Sequence, residues 1–329
     1  MNFRLTRFAI GLGFVACTVF SPASVGAQPL AYLAQWGTLG SANGEFAGPS
    51  DVAVGLVGDV YVADRMNNRI QKFTNTGAYL TQWGSLGSGA GQFDDPTGIA
   101  ADASGDVYVV DRDNHRVQKF DANGAFLTQW GSLGSGNGQF NCPLDAVVDA
   151  AGDVYISDQI NHRIQKFTAA GVYLTQWGTL GAGSGQLNRP AGLAVGIGNN
   201  VYVADLGNDR IQVFTNLGIY VVQWGGLGSG DGQFGGIFGV ACDVSGGVYV
   251  ADFGNNRIQK FNGVGTYLTQ WGSPGSGAGQ FNNPGGLAMD NGGNLYVADR
   301  ENHRIQKFGE VPVSGTTSTW GRVKDDYRR

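Results

Sequence analysis

Two oppositely charged residues recur through the chain at one spacing: an aspartate at Asp64, Asp111, Asp158, Asp205, Asp252 and Asp299, and an arginine five residues after each, at Arg69, Arg116, Arg163, Arg210, Arg257 and Arg304. Gathered around one cavity, such carboxylates and guanidiniums would form a ring for acid–base or oxyanion chemistry. The three histidines, His115, His162 and His303, would hold zinc if their rings converged. Gly84, Gly87, Gly89 and Gly91 carry the Gly-X-Gly spacing of a phosphate-cradling loop. The aspartates and arginines recur in all six units and the histidines at one position of three units, so the role of each must be one that many units need.

The repeat step is 47 residues, marked again by the tryptophan of a Gln-Trp-Gly motif at Trp36, Trp83, Trp130, Trp177, Trp224 and Trp271. A repeating unit sets the architecture before any local reading. In one unit, β-rich runs at residues 98–101, 107–110, 116–120 and 126–130 are separated by stretches of Asp, Asn, Ser and Gly, the residues of turns. Four short antiparallel strands per unit predict a blade, and six units predict an all-β, six-bladed β-propeller of four-stranded antiparallel blades. The 56 glycines and a charged fraction of 14% suit this turn-rich class, and no long helical pattern competes with it.

The phase of the repeat predicts how the ring closes. The outer-strand motif Tyr32-Leu33-Ala34-Gln35-Trp36-Gly37 has no inner strands before it, and the sixth inner set ends at Phe308 without an outer strand. The N-terminal outer strand is therefore expected to complete the last blade and leave no open edge. A rival at residues 316–321 contains Trp320-Gly321 but lacks the Gln and the preceding Gly turn.

The motifs Val-Tyr-Val-Ala-Asp, Asn-X-Arg-Ile-Gln-Lys-Phe and closing Gln-Trp-Gly resemble the NHL repeat family over residues 31–308. The resemblance implies a propeller but no single activity, because NHL propellers serve as extracellular sensors, RNA binders, protein binders and, in the amidating-lyase branch, enzymes. Those lyases use histidines that converge on the central cavity, and no set of positions here matches them.

Repetition argues for structural roles. Asp64 and Arg69 stand at the two ends of a short turn, where the carboxylate can accept turn amides and pair with the guanidinium. The histidine position is Asn68, Asn256 or Asp209 in other units, which points to turn capping and places the rings around the rim instead of at one metal. The tryptophans are expected between blades, and the Gly-X-Gly loop opens no helix. No nucleophile elbow or isolated Cys/His pair stands out, and turns such as residues 149–153 have too few oxygen ligands in series for a calcium loop. Thus no catalytic residue, metal ligand or cofactor site is assigned.

Function is then sought where the copies disagree on one exposed face. The residue after each repeated aspartate reads Arg65, Arg112, Gln159, Leu206, Phe253 and Arg300 in blades 1 to 6. Blades 6, 1 and 2 are neighbours, so Arg300, Arg65 and Arg112 are expected to form a basic sector, with Leu206 and Phe253 as an apolar sector opposite. Near the channel, Asp51, Leu144, Asp145 and Phe238 interrupt a run of small residues. These nine residues form the candidate ligand-binding face, suited to an amphipathic anion or an extended peptide with an acidic end. Drift at tolerant loop positions is the alternative.

At the N-terminus, Arg4 and Arg7 precede an apolar run at residues 8–20 and the small residues Val25-Gly26-Ala27, the pattern of a signal peptide cleaved after Ala27. A lipoprotein reading through Cys17 is opposed by Phe14. Cleavage would leave 19 Lys plus Arg against 26 Asp plus Glu, a net charge of −7 that disfavours nucleic acid. No second apolar run approaches the ~20 residues of a transmembrane segment. Cys142 and Cys242, in blades 3 and 5, are expected to be free thiols. The expected organisation is a signal peptide at 1–27, the propeller at 28–308, and a linker with a basic, aromatic tail at 309–329. The expected protein is a secreted, periplasmic or cell-surface monomer that serves as a binding scaffold for a protein, peptide or glycan. The alternative is a propeller enzyme of the lyase or lactonase kind with a metal at the channel mouth.

Overall fold

Turn residues every five or six positions prevent any long element, and the β-branched and aromatic runs between them pair with their sequence neighbours. The computed structural model describes residues 28–310, so the expected signal peptide, the rival strand at 316–321 and nearly all of the C-terminal tail lie outside the described residues. Its 24 strands, β1 to β24 in chain order, form six four-stranded antiparallel sheets. Blade 1 comprises β2 (Pro49–Val54), β3 (Val60–Asp64), β4 (Arg69–Phe73) and β5 (Tyr79–Trp83), and the next four blades repeat that order.

The sixth sheet has the order β1-β24-β23-β22, where β22 is Pro284–Met289 and β23 Leu295–Asp299, and joins the N-terminal β1 (Ala31–Trp36) to β24 (Arg304–Gly309), as expected from the phase of the repeat. Arg304 donates to Gln35 Oε1 at 2.8 Å across this seam, reproducing the bond from Arg69 to Gln82 within blade 1. Strand pairing continues to Gly309, one residue beyond the expected boundary.

The core lies between blades. Ile164 and Trp177 of blade 3 pack with Leu193, Val203 and Phe214 of blade 4 in one buried cluster. Trp83 stands 6.2 Å from Tyr61 of its own blade and 5.8 Å from Phe120 of the next. Gly124 sits against this indole with φ +88°, and a Cβ there would lie 2.5 Å from the ring, so only glycine serves.

The repeated aspartate and arginine form a closed buried network. In blade 3, Asp158 accepts the amide of Asn141 and the side chains of Asn161, Arg163 and Gln165. Arg163 uses all five donors, on Asp158, Gln176 and the carbonyls of Ser135, Gly136 and Gln139. The network ties the long glycine-rich interblade loop to the sheet, so the ring of charges is scaffold. Cys142 and Cys242 are free thiols. Among the described residues, no helix is long and apolar enough to cross a membrane.

Candidate functional site

After the repeated aspartate the chain makes a short turn, a 3-10 turn in blades 1, 4, 5 and 6 such as Arg65–Asn67 or Arg300–Asn302, closed by a left-handed residue, Asn68 or His303. This turn holds the variable residue on the rim of the channel. The left-handed residue reaches the next blade: Nδ1 of His303, His115 and His162 accepts the amides of Gly48, Cys142 and Arg189 at 3.0, 3.2 and 3.0 Å. Asn68 and Asn256 do the same for Asp95 and Asn283. The histidines therefore cap the neighbouring blade through a ring nitrogen that zinc would need.

At the mouth of the channel the rim encloses a cavity of about 170 Å³ to which all six blades contribute. Arg65, Arg112, Gln159, Arg189, Phe238 and Arg300 come from blades 1 to 6 in turn, with Ser50, Thr97 and Leu144 completing the wall. Four guanidiniums line it and no acidic residue does. Behind the wall, Asp95 accepts from Arg65, and from Arg112 at 2.6 Å. Burial works against its charge, yet these two arginines hold its carboxyl below the usual range. Arg112 also approaches the exposed Asp113 at 3.4 Å.

Arg300 is treated differently. It makes no ion pair among the described residues, and its guanidinium lies 5.2 Å from the centre of the Phe238 ring, within cation–π range. Gly285 leaves room for its stem, since a Cβ there would lie 2.8 Å from Cδ. Burial, and then the nearby Arg65, pull its pKa down. Its Nε, the Nε of Arg112 and the Oγ1 of Thr97 are buried without hydrogen-bond partners. Every other such side-chain atom among the described residues is the Nε1 of a repeated tryptophan.

Below the mouth, Thr97, Leu144 and Phe238 also line the central channel, a cavity of about 190 Å³ that holds Asp51 and Asp145. At their position the other four blades carry Gly98, Gly192, Gly239 and Gly286. Those glycines make the room: a Cβ at Gly98 would lie 2.8 Å from Asp145 Oδ1, and one at Gly286 would lie 1.7 Å from Asp51 Oδ1. Asp51 accepts the amides of Val52 and Ile99, each at 2.8 Å, and Asp145 those of Ala146 and Leu193, each at 2.7 Å. The charge of Asp145 also acts on Asp51. Burial, then the facing carboxylate, pushes Asp51 well above its usual range, and burial raises Asp145 to about 6.

The structure thus brings Arg65, Arg112, Arg300, Leu144 and Phe238 together at the mouth, with Asp51 and Asp145 beneath. Leu206 and Phe253 do not line the cavity. Leu206 packs on the core between blades 4 and 5, and Phe253 lies over Gly236. The basic sector is also partly neutralised by Asp95. Sequence reasoning missed Asp95 and Arg189, which stand just before the inner-strand prolines at φ +59° and +54°. Their signal was legible, since the aligned positions read Gly48, Asp95, Cys142, Arg189, Gly236 and Asn283.

The NHL repeat pattern matches residues 46–73, 93–120, 140–167, 187–214, 238–261 and 281–308. No curated protein matches the sequence. Among solved structures, a virginiamycin B lyase from Staphylococcus aureus aligns at 15% identity and a TM-score of 0.56, covering 80% of this chain and 96% of that one. A gluconolactonase from Xanthomonas campestris aligns at 14% identity and a TM-score of 0.60, with coverages of 86% and 98%. A Bacteroides thetaiotaomicron protein of unknown function aligns at 20% identity and a TM-score of 0.63, with coverages of 84% and 76%. At these identities the likeness is one of fold.

Proposed function

The chain belongs to the NHL repeat family, and from that premise we propose that it is an extracytoplasmic recognition scaffold whose protein, peptide or glycan ligand docks at the channel mouth. The supporting observation is the mouth cavity itself. It draws residues from all six blades, and its lining residues carry every unpartnered buried polar side-chain atom among the described residues that is not a repeated tryptophan nitrogen. Buried polar atoms are ordinarily satisfied, so three exceptions on one small concave surface favour a bound group. The segment at residues 1–27 is proposed to export the protein, placing this mouth outside the cytoplasm.

Native mass spectrometry of the protein from residue 28 onward, purified without refolding, tests the reading. A co-purified adduct should be present, and the triple variant Arg65→Ala/Arg112→Ala/Arg300→Ala should lose it. An adduct retained by the triple variant would sink the proposal.

A second reading has one observation in its favour. Asp51 and Asp145 are paired carboxyls with raised pKa values beside the mouth, an arrangement able to exchange protons with a substrate. The similarity to the lyase and the gluconolactonase agrees with it at the level of fold. The residues do not fit a resident divalent ion. All four carboxylate oxygens accept backbone amides, and among the described residues no group of three His, Cys, Asp or Glu stands together. An enzyme of this kind would therefore work by proton transfer. Turnover of a lactone that Asp145→Asn abolishes would favour it over the scaffold.

A further inference from the structure

Resting on this reading of the mouth, we propose that the bound group is a carboxylate. It is the acid end of a small organic acid or a free peptide C-terminus, docked on the guanidiniums of Arg300 and Arg112 with its carbon skeleton against Phe238 and Leu144. The four arginines lining the cavity belong to four different blades, and only Arg65 and Arg112 are paired, sharing Asp95, with Asp113 also near Arg112. Arg300 is half-buried with no carboxylate of its own, a costly state for a cation unless an anion completes it. The planar guanidinium offers parallel donors that match a carboxylate.

Size and the surroundings narrow the class. About 170 Å³ is less than the roughly 300 Å³ at which ordinary ligand pockets begin, so the cavity takes a terminus or a small acid and not a whole chain. Phe238 and Leu144 supply an apolar wall for the carbons next to the carboxylate. Beneath, burial and the facing charges of Asp51 and Asp145 favour one retained proton between them. The remaining negative charge repels a dianion such as phosphate more than a singly charged carboxylate.

Isothermal titration calorimetry on the chain from residue 28 onward distinguishes the sources. The probes are 3-phenylpropionate, its amide, the tripeptide Gly-Gly-Phe with a free or amidated C-terminus, and inorganic phosphate. At least one free acid should bind, with its amide weaker by on the order of 30-fold or more, the size expected when a buried charge contact is lost. Arg300→Met should cause a comparable loss without lowering the Tm of the unliganded protein. Binding of the phenyl acid alone identifies a small acid, and binding of the tripeptide alone identifies a peptide terminus. Equal binding of acid and amide, tighter binding of phosphate, unchanged binding by Arg300→Met, or no binding of either acid overturns the carboxylate assignment. A co-purified adduct without a carboxylate that the triple alanine variant loses would also overturn it, while leaving the mouth as the binding site.

Discussion

Arg163 and Arg300 are the same side chain in two opposite settings. Arg163 belongs to the network repeated in every blade, and all five of its donors end on protein acceptors, with Asp158 facing it at 2.7 Å. Arg300 occupies a position that changes from blade to blade, with an unpartnered Nε and an aromatic ring in place of a carboxylate. Apart from the repeated tryptophan nitrogens, the described interior of the blades satisfies its buried polar side chains, whereas the residues of the mouth leave three atoms unmet. Local rules that hold throughout a fold and fail at one concave place mark that place as functional.

The largest effect is expected in the repeated network. Arg163→Met strands the buried Asp158 carboxylate and should cost about 3–5 kcal/mol of stability, measured by denaturant unfolding. A loss below about 1 kcal/mol, the scale of an exposed ion pair, would break the contrast between interior and mouth.

An intermediate effect is expected where the mouth meets the channel. Raised carboxyl pKa values mean that the protonated forms favour the fold. This contribution is complete below the unfolded value of 3.8 and is lost as pH rises through about 6 for Asp145 and through the raised value of Asp51. Replacing both residues by the glycine of the other blades removes that dependence, together with four amide hydrogen bonds. The advantage of the native protein over Asp51→Gly/Asp145→Gly should therefore shrink from pH 4 to pH 8 by more than roughly 2–3 kcal/mol, the share of Asp145 alone at ~1.4 kcal/mol per pKa unit, with Asp51 adding to it. Parallel stability curves would show that the pair stays ionised throughout this range.

The two regions also differed in how far the sequence revealed them. Blade count, strand order and closure by residues 31–36 followed from spacing alone, because each repeat restates the same packing problem and the period admits one phase. At the mouth, Arg65, Arg112 and Arg300 could be placed on one rim from their offset to the repeated aspartate. Their pairing could not, since Asp95 reaches Arg65 only through a left-handed residue ahead of Pro96. Leu206 and Phe253 share the rim offset of Arg300, yet their side chains turn onto neighbouring residues and away from the cavity. An offset within a repeat fixes where a Cα sits, and the direction of its side chain depends on the next blade's residues.

The smallest effect, and the one with reversed sign, is expected at Arg300. Its guanidinium gives up hydration on folding and regains a ring contact but no ion pair, while Arg65 repels it. Methionine keeps the unbranched stem over Gly285 and packs on Phe238 without the charge. Arg300→Met should therefore leave unliganded stability unchanged or raise it by up to about 1 kcal/mol, because removing an unsatisfied buried charge is neutral or favourable. Denaturant unfolding of the two methionine variants side by side gives the comparison directly. A loss at Arg300 approaching that at Arg163 would mean that the mouth arginine is part of the scaffold, and the mouth would then lose its distinction from the blades.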